Sequence, residues 1–270
     1  MIKTLCIIFL FPLIGFTKTK TKPLYEIGIA GGTGFVSDYP ASNQGRYRSI
    51  FVPNFVYRGK VIKANDGGTK ARFIKTGKLI FDISLGASLP SNSKDNEARD
   101  GMDDLDWLAE IGPRIIYRFI ENPEHILQLE FPYRFVYSTD FSHTEYKGYR
   151  FATELDYTNK SFSEDIKTFM SIGIQFGSEK LHDNFYEVAP SDVTSNRERF
   201  NAKGGYIGSY VSTGFLIPFE SAKYFIGLYY SNYSGNANQD GPLFKSSENY
   251  SFFVGLSYFF YKSDELSIYD

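Results

Sequence analysis

From Asp106 to Asn159, apolar and polar residues alternate almost without interruption, and this period of two constrains the fold more than any other feature. Trp107, Ala109, Ile111, Pro113, Ile115, Tyr117 and Phe119 share one face, opposite Leu108, Glu110, Gly112, Arg114, Ile116 and Arg118. After a turn at Glu121–Glu124, Leu127, Leu129, Phe131, Tyr133, Phe135 and Tyr137 alternate with Gln128, Glu130, Pro132 and Arg134. Tyr149, Phe151, Thr153, Leu155 and Tyr157 then alternate with Arg150, Ala152, Glu154 and Asp156. Each run exceeds the roughly five or six residues of an ordinary strand, and each polar face carries both signs of charge. A soluble sandwich would turn its apolar face to a core, whereas a membrane barrel turns it to lipid and lines its lumen with the charges. Strand length favours the barrel, because a tilted spanning strand needs about 9–11 residues.

The same reading places strands at 24–35, 47–58, 60–66, 70–76, 79–89, 106–120, 125–138, 148–159, 166–177, 203–217, 223–234 and 250–261. The least regular pieces, within 60–76, flank Asp66-Gly67-Gly68. Connections at Gly59, Gly77-Lys78, Glu121–Glu124, Lys160–Asp165 and Pro218–Ala222 are short. Those at 36–46, 90–105, 139–147, 178–202 and 235–249 are long and rich in Asn, Ser, Asp and Gly. Alternating short and long connections is the pattern of an outer-membrane barrel with tight periplasmic turns and larger outer loops. The expectation is an all-β, up-and-down antiparallel transmembrane barrel of about 12 strands (10–12) in the outer membrane of a Gram-negative bacterium, an even count as single-chain barrels of this kind require.

The N-terminus is an address. Met1-Ile-Lys3 precedes an apolar run from Leu5 to Phe16, followed by small and basic residues, which describes a secretory signal over residues 1–17 with cleavage between 15 and 22. The run is too short to span a bilayer as a helix, which takes roughly 20 residues. Residues 18–270 then form the barrel domain. Cys6, the only cysteine, lies inside the signal, which excludes a disulfide scaffold or cysteine zinc site in the mature chain. A net charge of −2 is not that of a nucleic-acid-binding chain. The 18% aromatic content, from 26 Phe and 21 Tyr with one Trp, suits strands with bulky faces.

Other motifs read more plainly as barrel features. Ile27–Phe35 is glycine-rich, as a dinucleotide-binding turn would be, but no helix follows it to receive a pyrophosphate. The acidic stretch Asp100–Asp106 lacks the ligand order of a calcium-binding EF-hand and reads as a solvated loop. His125, His143 and His182 are the candidates for a catalytic base of an envelope lipid hydrolase, and their spacing to Ser and Asp makes no triad. No catalytic, cofactor or metal residue is assigned. Among the lumenal charges, Asp82, Glu110, Arg114, Arg118, Glu130, Arg134, Arg150, Glu154 and Asp156 either tune a pore or pair with one another and plug it. A barrel this narrow favours plugging. Gly255, Tyr258 and Phe260 resemble a C-terminal barrel-assembly signal, followed here by a tail from Lys262 to Asp270.

An ordered set of short motifs carries a family resemblance. Asp38-Tyr39-Pro40-Ala-Ser42, Pro53, Gly101-Met-Asp-Asp-Leu105 and Glu110-Ile-Gly112-Pro113 come first. Asn184-Phe-Tyr186-x-Val-x-Pro190, Gly204-Gly205-Tyr206 and Gly255-Leu-Ser-Tyr258 follow. In this order they resemble the MipA/OmpV family of outer-membrane proteins across nearly the whole mature chain. The resemblance implies a scaffold in the outer-membrane lipid that joins a membrane-bound lytic transglycosylase to a penicillin-binding protein in peptidoglycan turnover. It brings no catalytic residues. A narrow pore and an adhesion protein are the alternatives.

Overall fold

The structure, a computed structural model, describes residues 21–58, 62–65, 68–160, 166–219 and 221–268. The expected signal segment, the link at Gly59, the Asp66-Gly67 tip and most of the 160–165 turn lie outside the described residues. The strands are β1 (Thr21–Pro23), β2 (Tyr25–Ser37), β3 (Gly45–Arg58), β4 (Ile62–Asn65), β5 (Gly68–Thr76), β6 (Leu79–Ser88) and β7 (Trp107–Glu121). They continue as β8 (His125–Thr139), β9 (Thr144–Asn159), β10 (Lys167–Gly177), β11 (Gly205–Phe219), β12 (Ala222–Asn232), β13 (Glu248–Lys262) and β14 (Leu266–Ile268). One helix, α1 (Glu179–Tyr186), sits between β10 and β11.

Twelve strands, β2 to β13, form one closed antiparallel barrel in which each follows its neighbour in chain order, and β13 pairs back onto β2. Closure gives nearly every strand a partner on both edges, the condition for putting backbone polar groups into hydrocarbon. Expected strand ends agree with the observed ones to within about two residues, with one exception. The long connection expected at 139–147 is a four-residue turn, 140–143, because Asp140 accepts hydrogen bonds from the Ser142 and His143 amides and closes the hairpin early.

The period of two sorts side chains as the alternation requires. Outward residues such as Phe51, Ile111, Ile172, Ile226 and Leu256 are exposed, while their lumenal neighbours Glu110, Ile116, Ala152 and Phe259 are buried. Aromatic contacts gather at both ends of this apolar band: Tyr47 packs on Phe35 and Phe252 at one rim, and Tyr25 on Phe55 and Tyr261 at the other. No helix among the described residues is long and apolar enough to cross a membrane; the crossing elements are strands.

The wall is not uniform. β4 is short, and among the described residues β3 pairs with β4 at Tyr57 and Arg58. β5 reaches β6 only from Arg72 onward, opposite Leu79–Asp82. At the end carrying the short turns, β1 and β14 form a separate two-stranded ribbon, so the tail after β13 folds back on the start of the chain. The apolar core lies at the opposite end, where the long loops meet: Tyr39, Leu105, Leu181, Phe185, Tyr186 and Leu243 are among its members.

Gly112 shows how tightly neighbouring strands are set. A Cβ there would fall on the Tyr133 carbonyl oxygen of β8. Gly112→Val is expected to break the β7–β8 pairing and abolish the compact, faster-migrating species of the unboiled protein on a denaturing gel, whereas the native chain shows distinct unboiled and boiled mobilities. Equal shifts for both would refute this placement of Gly112.

Candidate functional site

Three layers fill the barrel. The lowest is a charge network inside the wall. Arg114 on β7 makes a bidentate pair with Asp82 on β6, at 2.8 and 2.7 Å, and its third nitrogen reaches Glu130 on β8 at 2.6 Å. Gln128 bonds to Glu130, and Arg118 joins Gln128 at 3.0 Å and pairs with Glu121. Higher up, Glu110 lies 3.2 Å from Arg150 and 3.7 Å from Arg134, which also faces Glu154 at 3.9 Å and bonds to Ser84 at 2.7 Å. Ser171 donates to Asp156. Strand alternation puts these groups on one face, and the cross-strand register sets Asp82 level with Arg114, while Glu130 falls level with Glu154 and Arg134 with Arg150, so that Glu130 is compensated off the register by Arg114.

One carboxylate oxygen each from Glu130, Glu154 and Asp156 lie within 4.8 Å of one another. This trio offers the ligand chemistry of a hard cation, although Arg114 already compensates Glu130. Asp100–Asp106, the acidic stretch read from the sequence as a solvated loop, is tied to the neighbouring 3-10 turn: Asp104 and the Asp103 carbonyl accept from Ser93.

The uppermost layer is a cap built by four connections. Asp38 is buried and receives both Arg46 (2.7 and 2.8 Å) and Arg48 (3.0 Å), with Asn96 adding a bond at 2.9 Å. Burial alone would raise the Asp38 carboxyl, but the Arg46 and Asn96 hydrogen bonds outweigh it and hold its pKa below the usual carboxylate range. Tyr39 donates to the Leu243 carbonyl at 2.8 Å beneath the Arg99 guanidinium, and burial pushes its phenol up to about 12. Pro40 accepts from Tyr186 at 3.1 Å. Ala41 adopts a left-handed φ of 64°, held by Asn249 on its amide and by the Lys245 and Ser246 amides on its carbonyl. Arg99 and Arg197 are each gripped by backbone carbonyls of the loops they cross.

Helix α1 supplies the rest of the cap. Ser178 caps its N-terminus, and Leu181, His182, Phe185 and Tyr186 are buried at helical spacing. His182 Nδ1 accepts from Asn238 at 2.6 Å, which leaves Nε2–H to donate to the Gly205 carbonyl at 3.2 Å. Burial lowers its pKa and the ring stays neutral. Among the described residues no hydrogen bond joins a histidine ring to a serine hydroxyl; His125, which lies 3.7 Å from Glu124, is on the rim and away from the lumen. His125 bonds to Tyr157 near the short-turn rim, and His143 lies in the exposed 140–143 turn.

Between network and cap lies a cavity of about 660 Å³, with Phe169, Phe225, Phe253 and Tyr229 in its wall and Arg48 and Arg150 at its polar side.

The family model described as MltA-interacting protein MipA matches residues 29–260. The chain belongs to this family. No curated protein matches it. Among solved structures it is similar to an outer-membrane channel from Pseudomonas putida F1, at 11% identity and a TM-score of 0.50, over 90% of this chain and 98% of that one. The NanC porin matches at 8% identity and a TM-score of 0.37, over 86% and 98% of the two chains. At 11% identity the likeness to the channel concerns the fold alone, an outer-membrane β-barrel.

The motifs that carry the family resemblance are the cap and its supports. Asp38, Tyr39 and Pro40 anchor it, Gly101 takes a left-handed φ of 81° in the 89–106 connection, and Leu105 joins the apolar core. Gly112 and Pro113 lie on β7 beneath it. Tyr258 and Phe260, of the assembly signal, face outward on β13, and Gly255 lies between β12 and β2. Of the lumenal charges, Glu110, Arg114, Arg118, Glu130, Arg134, Arg150 and Glu154 all enter the network. Sequence reasoning placed a loop where α1 lies, although Ser178 followed by Leu181, Phe185 and their i+1 neighbours is a legible helix signal. It also missed the cavity and the β1–β14 ribbon, which depend on long-range contacts.

Removing Arg114 leaves two buried carboxylates uncompensated. Arg114→Ala is expected to cost about 3–5 kcal/mol in reversible urea unfolding from detergent micelles; a change below about 1 kcal/mol would assign the network no structural weight. The cap has its own pH dependence. His182 has a folded pKa below its unfolded value near 6.5, so its contribution is complete above that pH and declines as pH falls through the folded value. Asp38 acts with the same sign below about pH 4. Hydrogen exchange of α1 amides, corrected for intrinsic rates, should accelerate between pH 8 and pH 5, whereas β7 and β8 amides should not.

Proposed function

We propose that this chain sits in the outer membrane as a plugged barrel and serves as a scaffold for peptidoglycan-remodelling enzymes, a lytic transglycosylase together with a penicillin-binding protein. The observation that carries this reading is the β1–β14 ribbon at the short-turn end, the end that faces the periplasm in barrels of this class. It adds structured surface where the tight turns alone would offer little. Leu24 donates to the Glu265 carbonyl at 2.7 Å, Ser267 to the Arg58 carbonyl at 2.7 Å, and Arg58 pairs with Glu26 and reaches the Pro23 carbonyl at 2.8 Å. The ribbon is thereby fixed to β2 and β3 rather than hanging free. A strand pair fixed at this rim is a surface to which another chain can add.

The family description names an MltA-interacting protein, which fits a partner at this rim. The layered lumen supports a structural role over conduction. Gly255, Tyr258 and Phe260 would serve the barrel-assembly machinery during insertion, and lipid is the remaining partner of the outer face.

Tagged full-length protein is expected to capture a lytic transglycosylase or a penicillin-binding protein from detergent extract. Truncation after Ser263 should abolish capture while the heat-modifiable folded species remains. Repeated capture of neither enzyme would overturn the proposal. Planar-bilayer conductance that changes when Arg114 or Arg134 is neutralised would assign a pore instead.

A further inference from the structure

Helix α1 roofs the lumenal cavity. Asn184 and Phe185 line the space from the helix, with Tyr39 and Pro40 of the 38–44 connection beside them. Most of what holds the helix down does not titrate near neutrality: Tyr186 donates to the Pro40 carbonyl, the Phe185 carbonyl accepts from Arg99 at 3.2 Å, and Leu181 and Phe185 join the apolar core. One attachment does titrate. His182 is buried where α1 meets the 203–206 segment and the 235–239 turn.

The protonation state of His182 is dictated from outside the ring. Asn238 is held at both ends of its amide by a single residue: its Oδ1 accepts from the Lys203 amide at 2.7 Å, and its Nδ2 donates to the Lys203 carbonyl at 2.9 Å. Turning the amide over would oppose donor to donor and acceptor to acceptor, so Nδ2 faces His182 Nδ1 as a fixed donor. The Gly205 carbonyl, equally fixed, takes the proton on Nε2. A second proton has only Nδ1 to occupy, where it would stand N–H against N–H.

No neighbouring charge offsets that conflict. The charged side chains on the surrounding elements are Asp183 and Glu187 on α1, Lys203 and Asp240 on the two loops, and Arg150 on β9. Of these only Arg150 bears on the ring, and its charge opposes protonation. The Tyr186 ring, 5.8 Å away, is a phenol kept neutral by burial. Burial and Arg150 together lower the His182 pKa against the Gly205 hydrogen bond. Once α1 leaves the rim, the imidazole is hydrated and takes its second proton freely. A proton thus binds the detached helix more tightly than the docked one, and such a difference in affinity is what shifts an equilibrium.

We propose that α1 is a lid over the lumenal cavity, shut by the neutral His182 ring clamped between Asn238 and Gly205 and released when that ring takes a second proton. Release uncovers the cavity toward the long-loop face. Because Asn238, Lys203 and Gly205 belong to two further connections of the cap, one protonation loosens three segments together. The lid is independent of any partner at the short-turn rim.

The test measures access to the cavity with single cysteines, in a Cys6→Ser background, in full-length protein in detergent micelles. Ser251→Cys puts a thiol at a half-buried β13 position lining the cavity, and Ser142→Cys puts one in the exposed 140–143 turn. Both are modified with dithiodipyridine, which reacts with thiols at acid and at neutral pH, and the ratio of the two rates cancels the reagent's own pH dependence. Between pH 7.5 and pH 5 this ratio should rise reversibly by at least about threefold while the heat-modifiable folded species persists. His182→Gln keeps a donor for Gly205 and does not titrate, so its ratio should be the same at both pH values. If that variant does not fold, His182→Asn keeps an acceptor for Asn238 and makes the same comparison. Asp183, whose carboxyl is raised by burial and by Glu187, still titrates in both variants, so a rise that survives loss of the imidazole belongs to another group. Such a surviving rise, or an unchanged ratio in the chain with His182 intact, would overturn the lid.

Discussion

Everything in this structure follows from the need to satisfy backbone hydrogen bonds where water is absent. Each residue of a spanning strand brings a donor and an acceptor into hydrocarbon, and closing the sheet through β13 and β2 gives those groups partners without any helix. Closure fixes the rest: side chains divide strictly between lipid and lumen, and the lumen of a 12-stranded barrel must then be filled, flooded or capped. This chain fills it with paired charges and caps it with an apolar core formed by loops.

The two fillings use different physics. In the network, the Asp82–Arg114–Glu130 unit compensates each charge with a bidentate or short contact from the adjacent strand, so that register itself sets the pairing. In the cap, stability comes from burial of Tyr186, Leu181 and Leu243 and from backbone carbonyls wrapped around Arg99 and Arg197. A cap made by four separate connections lets no one loop move alone, because Asp38, Asn96, Tyr186 and Asn249 tie loops distant in sequence to one another.

The alternation from Asp106 to Asn159 was enough to define the barrel, its strands and the lumenal identity of Glu110, Arg114 and Glu130, because a period of two is a local property that each strand carries by itself. Family membership was legible in the same way, in short ordered motifs, and those motifs proved to be the cap. What each lumenal charge pairs with was not local. Arg114 meets Asp82 and Glu130 from strands on either side, and only the register of three strands decides it. The β1–β14 ribbon likewise depended on contacts formed in the folded chain, whereas the Asp140 turn and helix α1 carry local signals, an Asx hydrogen-bond pair and a Ser178 cap, that a period of two does not register. Alternation states which face a residue occupies; it does not state which residue stands opposite on the next strand, and that register is fixed only when the sheet closes.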